Sequence, residues 1–320
     1  MEWISMDDGV RLNLRKWKIE GKTGDTRGIL HIIHGMAEHS QRYDRLARKL
    51  NAEGFEVWAA DQRGHGYTAD TSINAPDKGG LLGHCCKEDV FSRVSADIEA
   101  INRLIIKEKP WTPLFLLGHS WGSFIAQNYI ETFCDKDNAL KLAGCILSGT
   151  RGPGGWKFTL GLPFMSFLAF IKGSHKGSVM ARSLTDGPYI KAFRPNRTVS
   201  DWLSRDDLEV DAYINDPLCG KLCSTGFYRD LLSGLKRIHQ TENLKRIPRE
   251  LPIYVFSGSA DPVGEMGEST TALVNLYRSL GIKDLEFALY PDARHETLNE
   301  TNRDEVTGNL LSWLLKHSKT

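Results

Sequence analysis

The run Gly118-His119-Ser120-Trp121-Gly122 sets a serine between two glycines at the spacing Gly-x-Ser-x-Gly. A serine hydroxyl is a weak nucleophile until a base takes its proton and hydrogen-bond donors wait for the oxyanion that its attack creates. At this spacing the serine stands at the tip of a sharp strand-to-helix turn, and the glycines leave room for strand and helix to close on each other. The pattern alone is weak, since the glycine and serine content of this chain yields about 0.2 matches by chance. Its setting decides. Leu114, Phe115, Leu116 and Leu117 precede it as an apolar run, and Phe124, Ile125, Ala126, Tyr129 and Ile130 follow it. Strand, turn and buried helix make Ser120 the candidate nucleophile.

In folds built around such an elbow the partners follow the serine as an acid and then a histidine. Of the 10 histidines, His295 alone lies late in the chain, after an apolar strand-like run and before a final amphipathic stretch. It is the candidate base. Asp261 directly follows the run Ile253-Tyr254-Val255-Phe256 and its short loop, which puts it at the carboxyl end of a strand, where open α/β sheets bind their ligands. It is the candidate acid. Asp292, beside Pro291, is its rival and reads better as a turn residue. The loop His34-Gly35-Met36-Ala37-Glu38-His39 after an early strand offers the Met36 N–H as one oxyanion donor, and the Trp121 N–H offers the other. His34 and His39 have no carboxylate or cysteine pair at zinc-like spacing, so the sequence supports neither a metal nor a cofactor.

These residues need a scaffold, and the hydrophobic pattern supplies one. The first residues read as a hairpin turning at Asp7-Asp8-Gly9. Strands are expected at 29–33, 55–60, 114–117, 142–147, 253–256 and 285–290. Helices are expected around Tyr43 to Leu50, Val90 to Ile105, after Ser120, near 268–280 and near 303–316. Short apolar strands alternating with amphipathic helices imply an α/β fold with a mostly parallel sheet covered on both faces. The alternation breaks after the sixth strand. Arg151-Gly152-Pro153-Gly154-Gly155 opens a segment with Trp156, Phe158, Leu160, Leu162, Phe164, Met165, Phe167, Leu168, Phe170 and Ile171, which leave no clean polar face. Residues 151–228 are therefore expected to form a helical cap, inserted into a core made of 1–150 and 229–320. Its apolar side would cover the core, line a pocket for an apolar chain, or touch a membrane peripherally.

Composition narrows the field further. Lys+Arg of 41 against Asp+Glu of 40 advertises no nucleic-acid partner. The first residues carry no basic and apolar leader, and 162–171 is too short to span a bilayer, so the cytoplasm is the default expectation. The 6 cysteines have no framework spacing and read as reduced thiols.

Taken together, His34-Gly35-Met36-Ala37-Glu38-His39 with Arg42-Tyr43, Asp61-Gln62-Arg63-Gly64-His65-Gly66, Gly118-His119-Ser120-Trp121-Gly122, Asp261-Pro262 and Arg294-His295-Glu296 resemble the monoacylglycerol lipase/lysophospholipase group of α/β-hydrolases. The resemblance implies a triad of Ser120, Asp261 and His295, oxyanion donors at Met36 and Trp121, and hydrolysis of small-molecule esters or lipids with apolar acyl chains. Tyr67-Thr68 departs from the group, which usually has a serine at the second place; the change touches a turn. Two other readings remain open here: a hydrolase for small-acyl, aromatic-acid or peptide substrates, and a hydrolase-fold receptor that binds without turnover.

Overall fold

The computed structural model describes residues 2–19, 26–134 and 140–318, with backbone alone at 155–160. Trp156, Phe158 and Leu160 of the apolar run thus lie outside the described side chains. Eight strands form one sheet: β1 (Glu2–Ser5), β2 (Arg11–Trp17), β3 (Gly28–Ile33), β4 (Phe55–Ala60), β5 (Leu114–His119), β6 (Gly144–Ser148), β7 (Ile253–Gly258) and β8 (Leu285–Tyr290). Their spatial order is β1-β2-β4-β3-β5-β6-β7-β8. The hairpin β1-β2 and the β2-β4 pair are antiparallel, and every other pairing is parallel.

The connections are helical: α1 (Asp44–Ala52), α2 (Val90–Glu108), α3 (Trp121–Thr132), α4 (Gly155–Lys172), α5 (Val179–Ala192), α6 (Asp207–Asn215), α7 (Thr225–Arg237), α8 (Thr241–Leu244), α9 (Glu268–Ser279) and α10 (Arg303–His317). β3 to β7 are buried along their whole length because helices cover both faces. Strand residues therefore alternate between two cores. Leu114, Leu116, Cys145, Leu147, Ile253 and Val255 face α2, α3 and α9. Phe115, Leu117, Ile146, Tyr254 and Phe256 face α1 and α10. This is the α/β-hydrolase architecture.

Between β6 and β7 the chain runs through α4 to α8 before returning to the sheet. α5, α6 and α7 begin on side-chain caps: Ser178 accepts from the Ala181 N–H, Asp206 from Leu208 and Ser224 from Phe227. α7 runs across residue 228, and its Phe227 and Tyr228 pack into the same buried cluster as Phe91 and Trp121. Among the described residues no helix is long and apolar enough to cross a membrane.

Candidate active site

Ser120 links the last residue of β5 to the first of α3, at φ 53 and ψ −122. A non-glycine residue in such a conformation carries about 1–3 kcal/mol of backbone strain, which the surrounding packing must hold. The two glycines permit that packing. A Cβ on Gly122 would stand 2.2 Å from the Ile33 carbonyl oxygen, and one on Gly118 would stand 2.3 Å from that of Gly122. The Ser120 N–H donates to the Ser148 carbonyl at 2.9 Å, tying the elbow to β6.

His295, in the loop after β8, reaches Ser120: its Nε2 lies 2.8 Å from Ser120 Oγ. Its Nδ1 lies 2.9 Å from Asp261 Oδ1, in the loop after β7. A carboxylate only accepts, so Nδ1 carries the proton and Nε2 presents its lone pair to the serine hydroxyl. Both residues are buried. Burial alone would raise Asp261, but the charge of His295 and hydrogen bonds from His295, the Ser257 hydroxyl and the Val263 N–H outweigh it and hold the carboxyl below its usual range. Burial alone would lower His295, and the adjacent Asp261 carboxylate reverses this and lifts the imidazole above its ordinary value. Asp292 sits elsewhere. It is exposed, has φ 57, and donates its N–H to Ser259 Oγ at 2.8 Å, as a turn residue does.

Met36 follows β3 and Trp121 opens α3, and both line one cavity with Ser120. The first amides of a helix have no intrahelical acceptor, so the Trp121 N–H is available at the elbow. The loop bearing Met36 is held in shape by Ala37 at φ 56 and by Glu38, whose Oε1 accepts from the Gly35 N–H at 2.5 Å and from Tyr43 OH at 2.9 Å. His34 is structural: its Nδ1 donates to the Gly35 carbonyl and its Nε2 accepts from the Gln62 N–H. Thr68 serves its turn fully, donating to the Asp61 carbonyl at 2.7 Å and accepting from the Asn13 N–H at 2.9 Å.

Met36, Ser120, Asp186 and Trp202 border two spaces at once. One is an apolar cavity of about 620 Å³, walled by Phe124, Met165, Tyr189, Leu232 and Val263 among others. The other is a small chamber of about 50 Å³ with charged groups in its wall, reached by Glu38, His119, Arg182, Tyr213 and Glu296. Several of these groups carried no assigned role in the sequence. Arg42 donates from Nη1 to Glu38 Oε2 at 2.8 Å and grips Glu296 with two bonds of 2.7 Å. Burial alone would raise Glu38, yet Arg42 and other neighbours bring it down to about 2. His119 is pushed down to about 4, by burial first and then by the charge of His295. The Trp202 ring lies 5.1 Å from that of His295, and the Leu203 carbonyl accepts from the Glu296 N–H at 2.7 Å, so 202–203 brace the histidine loop. Arg42, Tyr43 and Glu296 stood inside motifs, and that adjacency was their only signal in the sequence.

The comparisons with known proteins agree with this architecture. The family described as Hydrolase_4, serine aminopeptidase, S33, matches residues 24–302. A monoacylglycerol lipase of Mycolicibacterium smegmatis is 25% identical over 311 residues, covering 97% of this chain and 94% of the relative. The human monoglyceride lipase is 28% identical over 297 residues, covering 90% of this chain and 80% of its own length. Among solved structures, a thermostable carboxyl esterase from Bacillus coagulans in complex with glycerol superposes with a TM-score of 0.87 at 28% identity, covering 99% of this chain and 98% of the esterase. Sheet, elbow and family match converge on one conclusion: the chain belongs to the Hydrolase_4 family of α/β-hydrolases.

Proposed function

We propose that this protein hydrolyses esters joining a medium or long acyl chain to a compact polyol, of the monoacylglycerol or lysophospholipid type. The chain is a carboxylic ester hydrolase, and the substrate type is what the site geometry adds. The observation that carries the reading is the position of Ser120 at the junction of the large apolar cavity and the small chamber with charged groups in its wall. An acyl chain in the first and an alcohol in the second put the ester carbonyl at Ser120 Oγ.

In this reading Ser120 Oγ attacks the carbonyl carbon as His295 Nε2 takes its proton. Asp261 holds the Nδ1–H tautomer and stabilises the imidazolium. The Met36 and Trp121 N–H groups meet the oxyanion, each worth about 3–4 kcal/mol by analogy with measured donors. The tetrahedral intermediate collapses with transfer of the proton from His295 to the leaving alcohol. Water then attacks the acyl-enzyme by the same route in reverse. No cofactor takes part.

Residues 151–228 act as the cap in this proposal. Phe164 and Leu184 line the apolar cavity and are also partly exposed. Phe167, Phe170, Ile171 and Val179 stand exposed beside them, and such a patch at a cavity mouth suits contact with a lipid surface.

An acyl-length series tests the substrate type. Each methylene that enters an apolar cavity is worth about 0.8 kcal/mol, so kcat/KM should rise on the order of 10²-fold from acetyl to hexanoyl esters. A flat series, together with faster cleavage of aminoacyl anilides, would replace this reading with a peptide-directed one.

A further inference from the structure

Three groups that the reaction does not use meet beside the oxyanion loop. His39 ends that loop and is buried, with Nε2 2.9 Å from Asp216 Oδ2. Cys219 is also buried, at 4% exposure. One imidazole nitrogen, one carboxylate oxygen and the Cys219 Sγ all lie within 4.8 Å of one another. His39 Nδ1 is buried and has no hydrogen-bond partner among the described residues, so this imidazole retains unused binding capacity where an unmet polar atom is costly.

The surroundings favour a cation. Asp216 is held in place from both sides: its Oδ1 accepts from the Leu218 N–H at 2.8 Å and its Oδ2 lies against His39. Nearby, Glu38 and Glu296 share the single guanidinium of Arg42. Imidazole, thiolate and carboxylate are donors that select zinc and its close relatives, and three of them leave a fourth position for water. Metal bonds of about 2.0–2.3 Å set neighbouring donors of a tetrahedral site roughly 3.3–3.8 Å apart. The present spacing reaches that range with side-chain shifts of about 1 Å.

We propose that His39, Asp216 and Cys219 form a binding site for a thiophilic divalent cation of the zinc class. On binding, a bond forms between Sγ and the metal and the thiol proton leaves to solvent; no electron is transferred. The site has a mechanical consequence. The Gly220 N–H donates to the Ala37 carbonyl at 2.9 Å and Tyr213 OH donates to the same oxygen at 3.2 Å. Residues 213–220 thus strap the loop that carries Met36, and the cation fastens the same two segments together. His39 lies 177 residues before Asp216, which is why spacing along the chain gave no sign that it meets Asp216 and Cys219. The cation-binding claim stands whether or not the ester reading holds.

The test is titration of the full-length, chelator-stripped protein with Co²⁺ and then Zn²⁺. Wild type should bind one Co²⁺ per chain with a near-ultraviolet thiolate-to-cobalt absorption, and Zn²⁺ should displace it. Cys219→Ser should abolish the band and weaken Zn²⁺ binding roughly tenfold or more, while Cys223→Ser keeps both. His39→Gln should weaken binding similarly, which provides a second reading if the serine variant does not melt cooperatively. A band that survives in Cys219→Ser, unchanged Zn²⁺ binding in His39→Gln, or no cobalt absorption from wild type at micromolar metal overturns the proposal.

Discussion

In the proposed mechanism Ser120 gains its reactivity from two residues that act in series, and pH should report this. Asp261 lifts His295 above the ordinary imidazole value of about 6.5. The reaction needs the free imidazole, so kcat/KM should fall as pH drops through a midpoint above about 6.5. The effect on stability has the opposite sign. A raised folded-state value favours the protonated form, so His295 contributes stability below its unfolded value and loses it as pH rises through the folded one. A pH–rate midpoint clearly below 6.5 would contradict the arrangement. Substitution separates the two aspartates: Asp261→Asn should cost on the order of 10⁴ in kcat by analogy with other triads, whereas Asp292→Asn should stay near wild type. A severe loss in the second variant alone would transfer the role to Asp292. The sequence placed Ser120, Asp261 and His295 because each sits in a loop at a strand's end and their order along the chain is constrained. It favoured Asp261 over Asp292, and Asp261 is the one that meets His295. It could not pair Arg42 with Glu296, which are 254 positions apart, because no local pattern encodes that meeting.

Among the elements, the strands were the easiest to read. β3, β4, β5 and β7 are mostly apolar runs because both of their faces are buried, interrupted in mid-strand only by His31 and Glu56. α2 announced itself by apolar steps of three and four from Val90 to Ile105, and Asp89 caps it by accepting from the Phe91 and Ser92 N–H groups. α4 and α5 were opaque in detail. Pro163 and Pro188 lie inside them, and apolar residues face both the cavity and solvent, so no single buried stripe gives a helical period. That two-sidedness yields a prediction. Phe167→Ser with Phe170→Ser should lower sedimentation with phospholipid vesicles several-fold and leave kcat/KM on a soluble butyryl ester within about twofold, since both side chains are exposed. Equal vesicle binding by the double variant and wild type would remove the membrane role of the cap.

For the whole molecule, the parallel strands all present their carboxyl ends to the same edge of the sheet. The loops after β3, β5, β7 and β8 therefore meet there, and residues as distant as Met36, Ser120, Asp261 and His295 share one site. The segment between β6 and β7 contributes Asp186, Tyr189 and Trp202 to the spaces around Ser120. In the proposed reading, chemistry and selectivity come from different parts of the chain, and the motifs bear on the first far more than on the second. The proposed reaction depends on Ser120 as nucleophile, and hydrolysis of a medium-chain monoacylglycerol by Ser120→Ala measures that most directly. Turnover should fall by on the order of 10⁶ with the fold intact, as in other serine triads. Near-wild-type glycerol release by the folded variant would contradict the account.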